Sequence, residues 1–243
     1  GWGFVVVFLI LTLGVAVVAG LTNGWLISRL SLPPILVTLG TMQAYSGLAI
    51  GLTKGTALYG FPQELMNISF SSVAFLPVPF LVLLLVTVAL SLLLRHSVFG
   101  FRLYLGGSNP KAARVAALSY RRVLLTTYAV SGLLAGLAGF LVATRVNSVK
   151  ADYGSSYLLV AVLIAILGGV NPAGGYGKLV NVLLGAVSLQ LLFSLFNLMY
   201  LSNFLTDAAW GLLLLAVIAL QRTKLLEFLS GPREGGMQGA PRV

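Results

Sequence analysis

Long apolar runs, most of them close to twenty residues, alternate along this chain with short segments that hold nearly all of its charge. A run of that length, coiled as helix, crosses roughly 30 Å of hydrocarbon. Run length and loop charge place seven crossings, at residues 3–21, 35–52, 77–94, 123–144, 157–170, 179–201 and 205–221. The fifth, YLLVAVLIAILGGV, is short for a crossing. It is expected either to extend into the neighbouring loop or to form a broken or re-entrant helix. The fold class is therefore all-α, a polytopic transmembrane helical bundle occupying residues 1–221, with a Gly/Pro-rich flexible tail over 222–243.

The polar segments have their own chemistry. In SRLSLPPIL the pair Pro33–Pro34 stops one helix and sets the entry angle of the next. The segment 53–76 contains Gly55, Gly60, Pro62 and an SFSS turn, and reads as an irregular outer lid. Gly132, Gly136 and Gly139 in AVSGLLAGLAGF form a small-residue seam suited to close helix packing.

Composition sharpens the class. The 243 residues are 58% hydrophobic and 8% charged, with a mean hydropathy of +1.01. Soluble domains carry about 25% charged residues, so a soluble body of this kind would lack a hydrated surface. Without cysteine there is neither a disulfide nor a thiolate metal site. No basic segment precedes the first apolar run and the chain starts GWGF, so a signal peptide is not expected and a start partway through a longer protein is.

The net charge of +10 would suggest nucleic acid in a soluble protein, but the cations sit between spans and no aromatics interleave them. Lipid orientation is the simpler cause. With the loop after Leu94 on the cytoplasmic side, that side receives twelve Lys and Arg: Arg29, six in the loop, Lys178, and Arg222, Lys224, Arg233 and Arg242. The outer side receives three, Lys54, Arg145 and Lys150. The C-terminus is then cytoplasmic.

Catalysis needs grouped ionisable residues, and none are found. His96 is alone, and the five acids Glu64, Asp152, Asp207, Glu227 and Glu234 fall in loops or at span ends. No HExxH, GxSxG or phosphate loop occurs. An enzyme is not expected, nor any metal or cofactor in this chain. Ion-coupled transporters keep an acid or a histidine at membrane depth. The seven span interiors have none, so uphill transport would need energy from a partner. They do carry neutral polar groups: Thr38, Thr41 and Tyr45 at helical spacing in the second span, and Gln190, Ser194 and Asn197 in the sixth. Two readings stand side by side: hydrogen bonding between helices, or a path for a neutral hydroxylated solute.

The segment 95–122 is the most distinctive. It holds Arg95, Arg102, Lys111, Arg114, Arg121 and Arg122, with His96 and no acid. Within GGSNPKAARVAALS, Asn109 suits a helix N-cap and Pro110 the first helical position. The spacing predicts a short helix over 110–119, with Ala113, Ala116 and Ala117 on one face and Lys111, Arg114 and Leu118 on another. A helix so short must pack against something, either its own bundle and lipid or a groove on a soluble partner.

FGFRLYLGGSNPKAARVAAL resembles the cytoplasmic loop of bacterial ABC importer permeases of the ribose and branched-chain amino acid class. LPPILVTLGTM (32–42) and ADYGSSYLLVAVLIAILGGVNPAGGYG (151–177) are similar to two further motifs of its sugar branch, in the same order. The resemblance implies a coupling helix that contacts an ATPase through Gly106, Gly107, Asn109, Pro110, Lys111, Ala112, Ala113, Arg114 and Ala117. It also implies gate glycines at Gly168, Gly169, Gly174, Gly175 and Gly177. Ala117 departs from the family's usual Gly, and Val170–Asn171 from a small hydroxyl pair.

Members have about ten spans against the seven read here, so N-terminal spans are expected beyond this chain. The resemblance further implies residence in the bacterial inner membrane, a second permease subunit (identical or not), two cytoplasmic ATPases that bind the ATP, and an extracytoplasmic solute-binding protein. The implied cargo is a monosaccharide or related polyhydroxylated solute. Branched-chain amino acids are the alternative, and a passive channel or facilitator a more distant one.

Overall fold

The computed structural model describes residues 1–73, 75–108, 120–171, 174–200 and 202–222. Nine helices lie among them, joined by short strand pairs. They fall into two compact units, one built from residues 1–157 with 173–176 and the other from 158–172 and 177 onward.

In the first unit α1 (Trp2–Leu30) runs 29 residues, well past the end that its apolar run suggests. At 1.5 Å per residue it is roughly 44 Å long. Thr22 and Asn23 extend it because their polar groups find partners within the protein, so Arg29 ends the helix and does not stand in a loop. Ser31, in the left-handed region at φ 52°, terminates it. Pro33 then caps α2 (Pro34–Thr53), with Pro34 in its first turn where the missing N–H is harmless.

After α2 the outer segment is more ordered than an irregular lid. Leu58–Tyr59 (β1) pairs antiparallel with Ser148–Val149 (β4), and Ser72–Val73 (β2) with Leu76–Pro77 (β3). Between them α3 (Gln63–Phe70) places Leu65, fully buried, against Val5 of α1 and Phe140 of α6 (Tyr120–Val146). The side chains of Phe8, Phe61 and Ile68 complete that cluster. The amphipathic spacing of Leu65 and Ile68 in a short segment explains why it coils.

α4 (Val78–His96) leads into α5 (Val98–Ser108), so the first half of the basic segment is helical and not a loop. Ser97 marks the break: its backbone is extended and its hydroxyl caps the amide of Gly100 at 3.1 Å. α5 turns back tightly, because Gly100 lies on the backbone of Leu94 with no room for a side chain. Residues 109–119, including the whole expected coupling helix, lie outside the described residues, as does the tail from 223.

α1 and α6 are the antiparallel spine of this unit. Gly20 packs on the Tyr128 backbone, Gly132 on that of Ala16, and Gly136 on Thr12 and Leu13. The seam thus recruits Gly20 and Gly24 of α1 with Gly132 and Gly136 of α6. Gly139, expected to join it, faces open space.

The second unit packs α7 (Ser155–Leu167), α8 (Leu179–Leu198) and α9 (Asn203–Arg222) around Leu163, Leu189 and Trp210. Phe193 and Phe196 flank the Trp210 ring at 6.3 and 6.1 Å. α7 has only 13 residues, about 20 Å, and Gly168–Gly169 stops it. Among the described residues five helices are long and apolar enough to cross a membrane: α1, α2, α4, α6 and α8. The fifth and seventh expected spans are shorter apolar stretches, Tyr157–Leu167 and Phe204–Ala219.

Candidate functional site

A groove of about 460 Å³ opens in the first unit between α1, α2 and α6. Small residues of α1 (Ala16, Ala19, Gly20) keep its floor low, and that is the second consequence of the glycine seam. Its walls carry Asn23, Thr38, Thr41, Tyr45, Ser46, Tyr128 and Ser131, and among the described residues no charged side chain lines it.

The three residues expected on one face of the second span do come together here. The Thr41 hydroxyl donates to Asn23 Oδ1 at 2.6 Å, its alternative acceptor being the Val37 carbonyl at 3.0 Å. The hydroxyls of Tyr45 and Thr22 meet, with Thr22 donating to the Ala19 carbonyl at 2.8 Å, so Tyr45 is the donor in the pair. Thr38 donates back to Pro34 at 2.9 Å. No described residue accepts from Asn23 Nδ2, which leaves two donors available in the groove. The polar groups of this face therefore bind helix to helix, and they also line a cavity of ligand size (about 300–1,000 Å³).

Gln190, Ser194 and Asn197 belong to the second unit, whereas the groove is described within the first. All three are exposed on α8; Ser194 donates to the Gln190 carbonyl and Asn197 to that of Phe193, within their own helix. Asn23, Thr22, Tyr128 and Ser131 are site residues that the sequence reading does not single out. The detectable signal is the Thr22–Asn23 pair without a proline at the end of an apolar run, which a helix can pass through.

The motif glycines sort into two places. Gly106 and Gly107 end α5, and Gly107 touches Gly174 and Gly175 backbone to backbone. A Cβ on Gly107 would lie 2.7 Å from the Gly175 nitrogen, and one on Gly175 2.6 Å from the Ser108 Cα. Gly174 and Gly175 also sit at φ 96° and 79°, where only glycine is unstrained. Gly168 is in the second unit, where a Cβ would lie 2.8 Å from the Val182 Cα of α8. Gly169 at φ 69° caps α7, and Gly177 packs beside Val170. Of the expected coupling residues, Asn109, Pro110, Lys111, Ala112, Ala113, Arg114 and Ala117 lie outside the described residues.

At the opposite end of the first unit Ile50, Thr53, Gly55, Lys150, Ala151 and Asp152 line a smaller cavity of about 170 Å³. Lys150 Nζ donates to Asp152 at 2.7 Å. That hydrogen bond holds the Asp152 carboxyl below its ordinary range and pushes the Lys150 ammonium above its own. Among the described residues no group of His, Cys, Asp or Glu could hold a metal ion.

Over residues 1–220 the chain matches the family described as branched-chain amino acid transport system / permease component. It is 34% identical over 204 residues to the ribose import permease protein RbsC of Bacillus subtilis, covering 83% of this chain and 63% of that one. It is 33% identical over 201 residues to the autoinducer 2 import system permease protein LsrC of Yersinia enterocolitica, covering 82% and 56%. For LsrD of the same species the figures are 30% over 234 residues, 92% and 71%. The chain thus spans between half and two thirds of the length of the first two relatives. No solved structure matches it.

Proposed function

The chain belongs to the permease-component family of branched-chain amino acid transport systems, and from that membership we propose that it is the membrane-spanning part of an ATP-driven importer for a monosaccharide or related polyhydroxylated solute. The observation that carries this reading is the groove between α1, α2 and α6, polar through hydroxyls and one amide and free of lining charge. Such groups exchange hydrogen bonds with a sugar's hydroxyls without the cost of a buried ion. The relatives named for ribose and autoinducer 2 support the same solute class.

The energy would come from two ATPase subunits on the side of the basic segment, where ATP is bound and hydrolysed. Residues 109–118, by their capped pattern and by family resemblance, would dock on them, with Lys111 and Arg114 facing partner acids. The segment follows Ser108 in sequence, and its neighbour Gly107 touches Gly174 and Gly175, so a pull on it would reach that turn. A second permease subunit would complete the path and a solute-binding protein would load it from outside. The site lies in the inner membrane, with the C-terminus cytoplasmic by the distribution of Lys and Arg.

The family description itself favours a second reading, a branched-chain amino acid. A zwitterion would ask for charge or aligned dipoles at the groove, and among the described residues no charged side chain lines it. The deciding experiment is ATP-dependent uptake of labelled ribose by the full-length permease with its ATPase and binding protein, with leucine or unlabelled ribose as competitor. Competition by ribose alone supports the proposal; competition by leucine alone replaces it with the second reading. Arg114→Glu is expected to abolish both ATPase co-purification and uptake, and unchanged values for both would remove the docking role.

A further inference from the structure

α5 and the helix ends beside it present an unpaired basic surface. Arg95 and His96 close α4, Arg102 sits midway along α5, and Arg121 and Arg122 open α6. All five are exposed. Gly100 against Leu94 ties the start of α5 to the end of α4, and Gly106, where a Cβ would lie 3.6 Å from the Tyr120 ring, ties its end to the start of α6. The cations therefore follow α5 over its eleven residues, roughly 16 Å. Between Glu64 and Asp152 the chain has no acid, and none of these cations is in a salt bridge among the described residues.

Charge is half of the pattern. α5 also exposes Val98 at 64% and Phe101 at 67%, the latter adjacent to Arg102. Aliphatic and aromatic groups beside arginine on a short helix at the end of a transmembrane bundle suit the boundary between acyl chains and headgroups. We infer that α5 and the flanking ends of α4 and α6 form a binding site for anionic phospholipid, in which Phe101 and Val98 enter the acyl region and Arg95, Arg102, Arg121 and Arg122 hold the phosphates. This is a specific, saturable site, beyond the general bias of loops toward positive charge.

Each arginine near an anionic surface is worth roughly fivefold in affinity, less at high salt. The test uses the full-length permease with its ATPase subunits in nanodiscs of phosphatidylcholine with phosphatidylglycerol. Retained phosphatidylglycerol is counted by native mass spectrometry after extraction. Arg102→Gln is expected to lower the phosphatidylglycerol preference about fivefold, and Arg95→Gln, Arg102→Gln, Arg121→Gln and Arg122→Gln together by more than tenfold. Lys54→Gln, at the other end of α2, should leave it unchanged. Should the combined variant fold poorly, the mid-helix, exposed Arg102→Gln alone carries the result, with monodisperse elution as the control. An unchanged preference in the arginine variants, or an equal fall in Lys54→Gln, overturns the site. Retained lipid with loss of the ATPase subunits overturns it as well and reassigns the surface to them.

Discussion

Gly107 and Gly175 touch through their backbones, at the point where the helix after α4 meets the loop that leads to α8: a Cβ on the first would lie 2.7 Å from the nitrogen of the second. Neither position has space for one more carbon, and Gly175 at φ 79° would be strained by any side chain. Alanine at 175 should cost about 1–3 kcal/mol from backbone strain alone. In a fluorescence size-exclusion assay Gly175→Ala is expected to lower the thermal midpoint by several degrees. If this joint passes ATPase motion onward, uptake should fall more than tenfold at temperatures where the variant is still folded. A variant with full uptake would show that the contact is packing only.

The spine makes a sharper contrast, because one glycine of its pattern is not part of it. Gly20 and Gly132 each meet the facing backbone, whereas Gly139 meets nothing. Gly20→Val or Gly132→Val must separate α1 from α6, at about 1–3 kcal/mol or more. Gly139→Ala should stay within about 0.5 kcal/mol of the parent. Thermal midpoints of the three variants in the same detergent decide it; a Gly139 variant as damaged as the others would contradict this geometry.

The Lys150–Asp152 pair gives a pH signature outside the membrane. The folded state lowers the Asp152 carboxyl from its ordinary 3.8, so its contribution is present at neutral pH and lost as pH falls through the depressed value. Lys150 is raised from 10.5, so its contribution is present below that and lost as pH rises through the raised value. The stability difference between the parent and Asp152→Asn should therefore be flat between about pH 5 and pH 9 and close toward more acid pH. Thermal midpoints from neutral pH down through the depressed Asp152 value test it. The pair is fully exposed, so the difference will be small, and a difference that grew on acidification would mean another group is titrating.

The apolar lengths carry the helical class, the five long apolar helices and the break at Pro33–Pro34, because those depend on local chemistry alone. They do not carry the reach of α1 to Leu30, which rests on Asn23 and Thr22 finding Thr41 and Tyr45 across a helix boundary. The same blindness hides half of the groove: the Thr38–Thr41–Tyr45 face is visible as helical spacing, but its partner residues on α1 and α6 are set by tertiary packing. Gly139 fits the seam by spacing and misses it in space, since three- and four-residue steps drift around a helix and only Gly132 and Gly136 stay under α1. α5 reads as loop because Arg102 and the cations on either side of the helix mask its apolar content, VFGFRLYL, which coils at the bundle end.

The Thr41–Asn23 bond separates a structural groove from a transport path. Thr41→Val keeps the shape of the side chain and removes the hydroxyl that donates to Asn23 at 2.6 Å. Interhelical hydrogen bonds in membranes are worth about 0.6 kcal/mol and at most about 1.7, because alternative partners exist when they break. Asn23 then loses a donor to its Oδ1, and two of its polar groups face the groove unpaired among the described residues. Stability should drop by no more than that, a shift of a few degrees. Solute handling should change far more if sugar hydroxyls take their hydrogen bonds here, because the rearranged amide offers the wrong pattern. The expected outcome for Thr41→Val, and likewise for Asn23→Leu, is an uptake rate reduced at least tenfold with ATPase assembly intact. An uptake loss no greater than the loss of folded protein would mean that the polar face of α2 serves packing, and that the solute passes elsewhere.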